Sequence, residues 1–157
     1  MKPGIGITDK NRKAVAAELA KLLADEYVLF TKTRNAHWNV EGPDFYEKHK
    51  FFETQFIQLD EIIDSVAERI RTLGHYTSSS LKSFLEITHL SEDAPDRNNS
   101  QDHIKALLID HESIVIHCRE NIHQVAIEYN DFGTSDFITG LMETHEKMAF
   151  FLRSHLK

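Results

Sequence analysis

Between Phe52 and Leu73 the apolar side chains recur at alternating steps of four and three residues: Phe52, Phe56, Leu59, Ile63, Val66, Ile70 and Leu73. Only an α-helix brings that spacing onto one side of the chain. Gly42-Pro43 lies just upstream, and proline suits the first turn of a helix but not its interior. The helix is therefore expected from about Asp44 to Leu73, closing at Gly74, with Arg69 and Arg71 placed to complement its dipole. A helix this long with one apolar stripe needs other helices to cover it.

The remaining chain supplies them. Thr8 or Asp9 can cap a first helix in which Leu19, Leu23, Phe30 and His37 form one row. A third helix is expected after Ser100, with Ile104, Leu107, Leu108, His111, Ile114, Val115, Cys118, Ile122, Val125 and Tyr129 on a shared face. The chain breaks at Asn130-Asp131-Phe132-Gly133. Thr134 or Ser135 would cap a fourth helix that points Phe137, Leu141, His145, Met148, Leu152 and Leu156 inward. About 25 residues join the second and third helices, too many for a hairpin between antiparallel neighbours. Leu81, Phe84, Leu85 and Leu90 can form a short helix there. The expected fold is all-α: a four-helix bundle of ferritin-like topology, with a short extra helix in one long crossover. Residues 1–8 form a tail, because Pro3, Gly4 and Gly6 oppose a helix, and residues 9–157 form one domain.

Composition narrows the function. A net charge of −7 disfavours a nucleic-acid-binding body. The single cysteine, Cys118, cannot form an internal disulfide and suits a reducing compartment as a core residue. No apolar run approaches transmembrane length and no signal-peptide pattern opens the chain, so a cytoplasmic location without membrane contact is expected. No glycine-rich phosphate loop, nucleophile elbow or Cys-x-x-Cys pair is present.

The chemistry concentrates between His37 and Glu68. On the second helix His49, Glu53, Asp60, Asp64 and Glu68 fall within an arc of roughly 100° beside the apolar face. Ile57 sits inside that arc, which suggests that the stripe packs against another surface. Imidazole nitrogen with carboxylate oxygen suits a borderline cation such as iron. Asp64 and Glu68 are one turn apart, as are His49 and Glu53. The alternative is an ordinary acidic helix surface, with His37 a hydrogen-bonded core histidine and Trp38 a packing residue. Glu86/His89 and Glu120/His123 match the Glu-x-x-His pattern of di-iron bundles. The first pair falls in the crossover and the second opposite the apolar face, so both read as surface coincidences.

Taken together, these residues carry a family resemblance. His37-Trp38-Asn39-Val40 with Gly42 and Phe45, His49 twelve positions on, the Asp60–Gly74 run and the segment from His145 to Leu156 are similar to the Dps family, the mini-ferritins, over essentially the whole chain. Phe150 stands where many members carry Trp. The resemblance implies a homo-oligomer, a hollow dodecamer, with ferroxidase sites between subunits that each take two iron ions and cycle Fe(II) to Fe(III). By position, His37, His49 and Glu53 come from one subunit, and Asp64 and Glu68 from its two-fold mate. Asp60 matches no family ligand. Trp38 matches a residue beside the site able to take up oxidising equivalents. The implied activity is oxidation of Fe(II) by hydrogen peroxide or dioxygen, with ferric iron stored inside and the cell protected from oxidative damage. Asp131, Asp136 and Glu143 are candidates for an acidic iron-entry pore, or simply complement a helix dipole. The alternative function is a DNA-binding or structural protective shell. Some members bind DNA through lysine-rich tails; this tail carries only Lys2, with Lys10, Arg12 and Lys13 just inside the first helix, so DNA binding is expected to be weak or absent.

Overall fold

The structure, a computed structural model, describes residues 3–156. Four long helices form the bundle: α1 (Asp9–Asn39), α2 (Phe45–Thr72), α4 (Ser100–His123) and α5 (Phe132–Ser154), with a short α3 (Leu81–Ile87) in the crossover. No strand occurs among the described residues. The buried faces meet in one core containing Leu19, Leu29, Phe52, Leu59, Ile114 and Leu152, each wholly inaccessible to solvent. Of the expected row on α1, Leu19 and Leu23 are buried and Phe30 is half-buried.

Local chemistry sets the helix ends. Thr8 accepts from the Asn11 amide at 3.2 Å, and Asn99 accepts from the Asp102 amide at 3.0 Å. Asp44 makes no cap bond at the start of α2; its carboxylate instead accepts from the Ser100 hydroxyl at 2.7 Å. The Glu41 amide donates to the Asn98 carbonyl at 2.9 Å. These bonds place the start of α4 beside the α1–α2 turn, so the crossover returns along the full length of α2. A 28-residue helix spans about 42 Å, which explains why the connection is long. At its far end Gly74 adopts φ +86°, and a Cβ there would come within 2.6 Å of the Pro3 ring. Within α3 only Phe84 is buried, stacked on Tyr27 with ring centres 4.4 Å apart; Leu81 and Leu85 stay exposed.

Two expectations are corrected at the α4–α5 junction. The expected third helix does not stay regular to Tyr129: after His123 it widens into a π-helical turn over Gln124–Glu128 that keeps Val125 buried and leaves Ile127 exposed. The cap of α5 is neither Thr134 nor Ser135. Asn130 takes a left-handed φ of 55°, turning the chain so that Asp131 accepts from the Thr134 amide at 2.9 Å and the Thr134 hydroxyl at 2.6 Å. Arg69 of α2 lies 3.4 Å from the same carboxylate. Asp131 is thereby buried within the chain, whereas Asp136 and Glu143 are exposed. Arg12 is likewise committed, donating to the Ile7 carbonyl at 2.5 Å and pairing with Asp9. Lys2 lies outside the described residues.

The core also holds a polar chain. The Nε2 of His145 lies 2.8 Å from a Glu26 carboxylate oxygen, and its Nδ1 lies 2.9 Å from the Nδ1 of His111. All three side chains are fully buried. His111 is a core residue, as its place on the apolar face of the third helix suggests. Burial, and then the neighbouring His145, hold its pKa well below the usual histidine range.

The Asp131→Ala substitution should lower stability by about 1–2 kcal/mol through loss of the cap, read by urea unfolding at fixed protein concentration. The second expectation concerns pH. An unfolded histidine takes up a proton below about pH 6.5, while native His111 stays neutral. Stability is thus intact above that pH and falls below it, by about 1.4 kcal/mol per pH unit for one such group. Between pH 7.5 and 5.5 a His111→Leu variant should lose about 1.4 kcal/mol less stability in total than the parent, read by urea unfolding.

Candidate metal-oxidation site

α1 and α2 meet at the Gly42-Pro43 turn, which brings His37 of the last turn of α1 against His49 of the second turn of α2. Their rings stack with centres 3.8 Å apart and an interplanar angle of 23°. Each ring is tethered by the other's backbone: the Nδ1 of His37 donates to the His49 carbonyl at 2.9 Å, and the Nδ1 of His49 donates to the His37 carbonyl at 2.7 Å. A carbonyl only accepts, so both Nδ1 atoms carry hydrogen. In the neutral rings the Nε2 lone pairs are then left for a ligand, and the tautomers are set by the fold. The core hydrogen bond of the alternative reading of His37 is present, and it uses the nitrogen that a metal would not need.

Glu53 follows one turn after His49. Its carboxylate accepts from Lys50 at 2.8 Å. That bond, helped by the Lys50 charge and the nearby His37 and His49, holds the Glu53 carboxyl below its ordinary range. Aromatic groups wall the pair. Phe56 stands edge-on to His37 at 5.1 Å, and Phe45 lies 5.2 Å from His49. The Arg34 guanidinium covers Phe56 at 4.9 Å and Trp38 at 5.0 Å. Trp38 itself remains mostly exposed.

Asp64 and Glu68 lie elsewhere on α2. Fifteen residues separate His49 from Asp64, about 22 Å along a rigid helix. One ion cannot touch both in a single chain. Asp64 and Glu68 are exposed, and Asp64 lines a cleft with Asp60, Tyr27, Phe84 and Ser78. Ile57, between the two sets, is exposed as well. Among the described residues no group of three or more histidine, cysteine or acidic side chains is assembled to hold a metal within one chain. The five candidates therefore fall into two separate groups: His37, His49 and Glu53 where α1 meets the start of α2, and Asp64 with Glu68 further along α2.

Three contributors carry little signal in the sequence. Lys50 as the partner of Glu53 was legible only as an i, i+3 charge pair. Phe56 reads as a core position on the α2 face and nothing singles out Arg34; folding sets Phe56 edge-on to His37 and Arg34 over the Phe56 ring.

Known proteins share this architecture. A family model described as a ferritin-like domain matches residues 16–157. The chain is 41% identical to a low temperature-induced protein of Nostoc sp., covering 98% of this chain and 86% of that one. It is 34% identical to DNA protection during starvation protein 2 of Bacillus anthracis, over 92% and 97% of the two chains. DpsC from Streptomyces coelicolor superposes with a TM-score of 0.93 at 30% identity, covering 100% of this chain and 91% of that one. The Dps protein of Vibrio cholerae O1, described as a member of a broad superfamily of ferritin-like diiron-carboxylate proteins, gives 0.92 at 29% identity, with coverage of 100% and 98%. Sequence, fold and topology agree over nearly the whole length, and the chain belongs to the Dps family of ferritin-like proteins.

Proposed function

We propose that this protein is a ferroxidase and iron store. Its substrate is Fe(II), two ions per site, oxidised by hydrogen peroxide or dioxygen where two subunits meet. The observation that carries the reading is the reciprocal tether of His37 and His49, which reserves two Nε2 donors for a ligand. The separation of Asp64 and Glu68 from that pair on one helix supports a site completed by a second copy. Exposed Ile57, lying between the half-sites, suits contact with that copy.

The chain's residues would act as follows. His37, His49 and Glu53 of one subunit supply nitrogen and oxygen donors, and Asp64 and Glu68 of the mate supply carboxylates. Anionic oxygen ligands favour Fe(III) over Fe(II) and so lower the potential of the bound substrate. With two irons held together, each gives up one electron. The pair of electrons cleaves the O–O bond of one peroxide to two water-level oxygens, and no hydroxyl radical is released. Trp38, beside the histidines, is placed to absorb stray oxidising equivalents. The ferric product would collect inside a closed homo-oligomer, a dodecamer. Asp136 and Glu143 remain the acidic candidates for its entry route. The setting is cytoplasmic; no helix among the described residues is long and apolar enough to cross a membrane.

Two measurements test this reading. Anaerobic protein loaded with Fe(II) should form Fe(III) on peroxide addition, near two irons per peroxide. An Asp64→Ala/Glu68→Ala variant should be slower by at least about tenfold. A parent rate no faster than free iron in buffer would remove the enzyme and favour the protective shell. The second measurement asks whether the site is shared. A His37→Ala/His49→Ala variant and the Asp64→Ala/Glu68→Ala variant should each be inactive alone. In a two-fold contact, co-assembling them regenerates about a quarter of the intact sites. Stopped-flow absorbance on co-refolded mixtures would read that recovery, and its absence would overturn the shared site.

A further inference from the structure

The Glu-x-x-His segment ending at His89 has no part in the ferroxidase reading, yet the fold gives His89 a partner. The crossover lays its ring against His117 of α4, with ring centres 4.3 Å apart and a tilt of 40°. The Nδ1 of His89 faces the Asp25 carboxylate at 3.2 Å. Asp25 is almost wholly buried and anchored, accepting from the Thr88 hydroxyl and the His89 amide, each at 2.7 Å. With Nδ1–H on a carboxylate, His89 turns its Nε2 lone pair outward, and its side chain is 45% exposed. On His117 the Asn121 amide nitrogen lies 3.4 Å from Nδ1 and 3.3 Å from Nε2 while donating to the His117 carbonyl at 2.8 Å. A neutral imidazole carries one lone pair and one N–H; the amide, nearly equidistant from the two nitrogens, points along neither, so the lone pair stays open to a ligand.

We propose that His89 and His117 form a second metal site, separate from the iron-oxidising residues, for an imidazole-preferring divalent ion of the Cu²⁺ or Zn²⁺ class. With metal–nitrogen bonds of about 2.0–2.1 Å, two imidazoles bound side by side hold their ring centres about 4–5 Å apart. The observed spacing falls in that range. Asp25 orients His89 from behind and offsets ligand charge, the role a carboxylate plays behind a metal-bound histidine. Glu18, held by Lys21 at 3.0 Å, flanks His117. No third protein ligand is assembled there among the described residues, so water completes the sphere. Cu²⁺ stands highest among first-row divalent ions for such nitrogen donors, and Mg²⁺ or Ca²⁺ would not compete. The two sites then sort metals by donor type, carboxylate-rich for iron and imidazole-only for copper or zinc.

The test uses assembled protein carrying His37→Ala and Asp64→Ala, which silences the other candidate site, with Cu²⁺ alone as the probe. Equilibrium dialysis should find one Cu²⁺ per subunit, and electron paramagnetic resonance should resolve coupling to two imidazole nitrogens. Adding His89→Gln and His117→Gln should weaken binding by at least about tenfold while leaving the oligomer intact on size exclusion. Coupling to fewer than two imidazoles before those changes overturns the proposal; so does unchanged stoichiometry and spectrum after them. Peroxide-driven iron oxidation by a His89→Gln/His117→Gln variant, measured separately, should match the parent, so the two readings fail independently.

Discussion

The rise of an α-helix is the constraint on which this structure turns. α2 carries His49 and Glu53 near one end and Asp64 and Glu68 several turns later, on a rod that cannot fold back on itself. An ion held by the first set is out of reach of the second. What a classical di-iron bundle achieves by pointing four helices at one interior point would here need two copies of the chain. The bundle interior is correspondingly used for something else: Glu26, His145 and His111 form a buried hydrogen-bonded chain where an intrachain centre could otherwise sit.

That buried chain has its own energetics. A carboxylate and two imidazoles without solvent are tolerable only because they bond one another. The chain ends are not satisfied: the second Glu26 oxygen and the His111 Nε2 have no partner among the described residues. A polar network of this kind contributes more to which helices face one another than to net stability, because α1, α4 and α5 must meet at one level for its bonds to form.

The two histidine pairs show how one device recurs in different settings. At His37 and His49 the Nδ1 atoms are held by backbone carbonyls; at His89 one is held by the Asp25 carboxylate. In each case the hydrogen bond on one nitrogen sets the tautomer and leaves the lone pair of the other nitrogen for a ligand. The difference lies in the surroundings. The first pair has Glu53 one turn away and aromatic walls, and the second lies between the crossover and α4, partly open to solvent, with Asp25 behind it.

Much of the bundle was legible in the sequence, because apolar periodicity is a local property of each helix and glycine and proline mark its ends. The row on α1, the face on α2 and the Thr8 cap follow from residues within a few positions of one another. His37, His49, Glu53, Asp64 and Glu68 could be picked out by type and spacing, which place donors on a helix face but not against one another. The cap of α5 was misread because a single left-handed residue, Asn130, redirects the chain, and no periodicity reports a φ angle. The π-helical turn was missed for the same reason. Only the tertiary structure decided that His37 and His49 lock each other's tautomers, that Asp131 is spent on a cap and on Arg69, and that His89 meets His117. Those contacts join residues 12, 62 and 28 positions apart, and distance along the chain carries no information about them until the helices have packed.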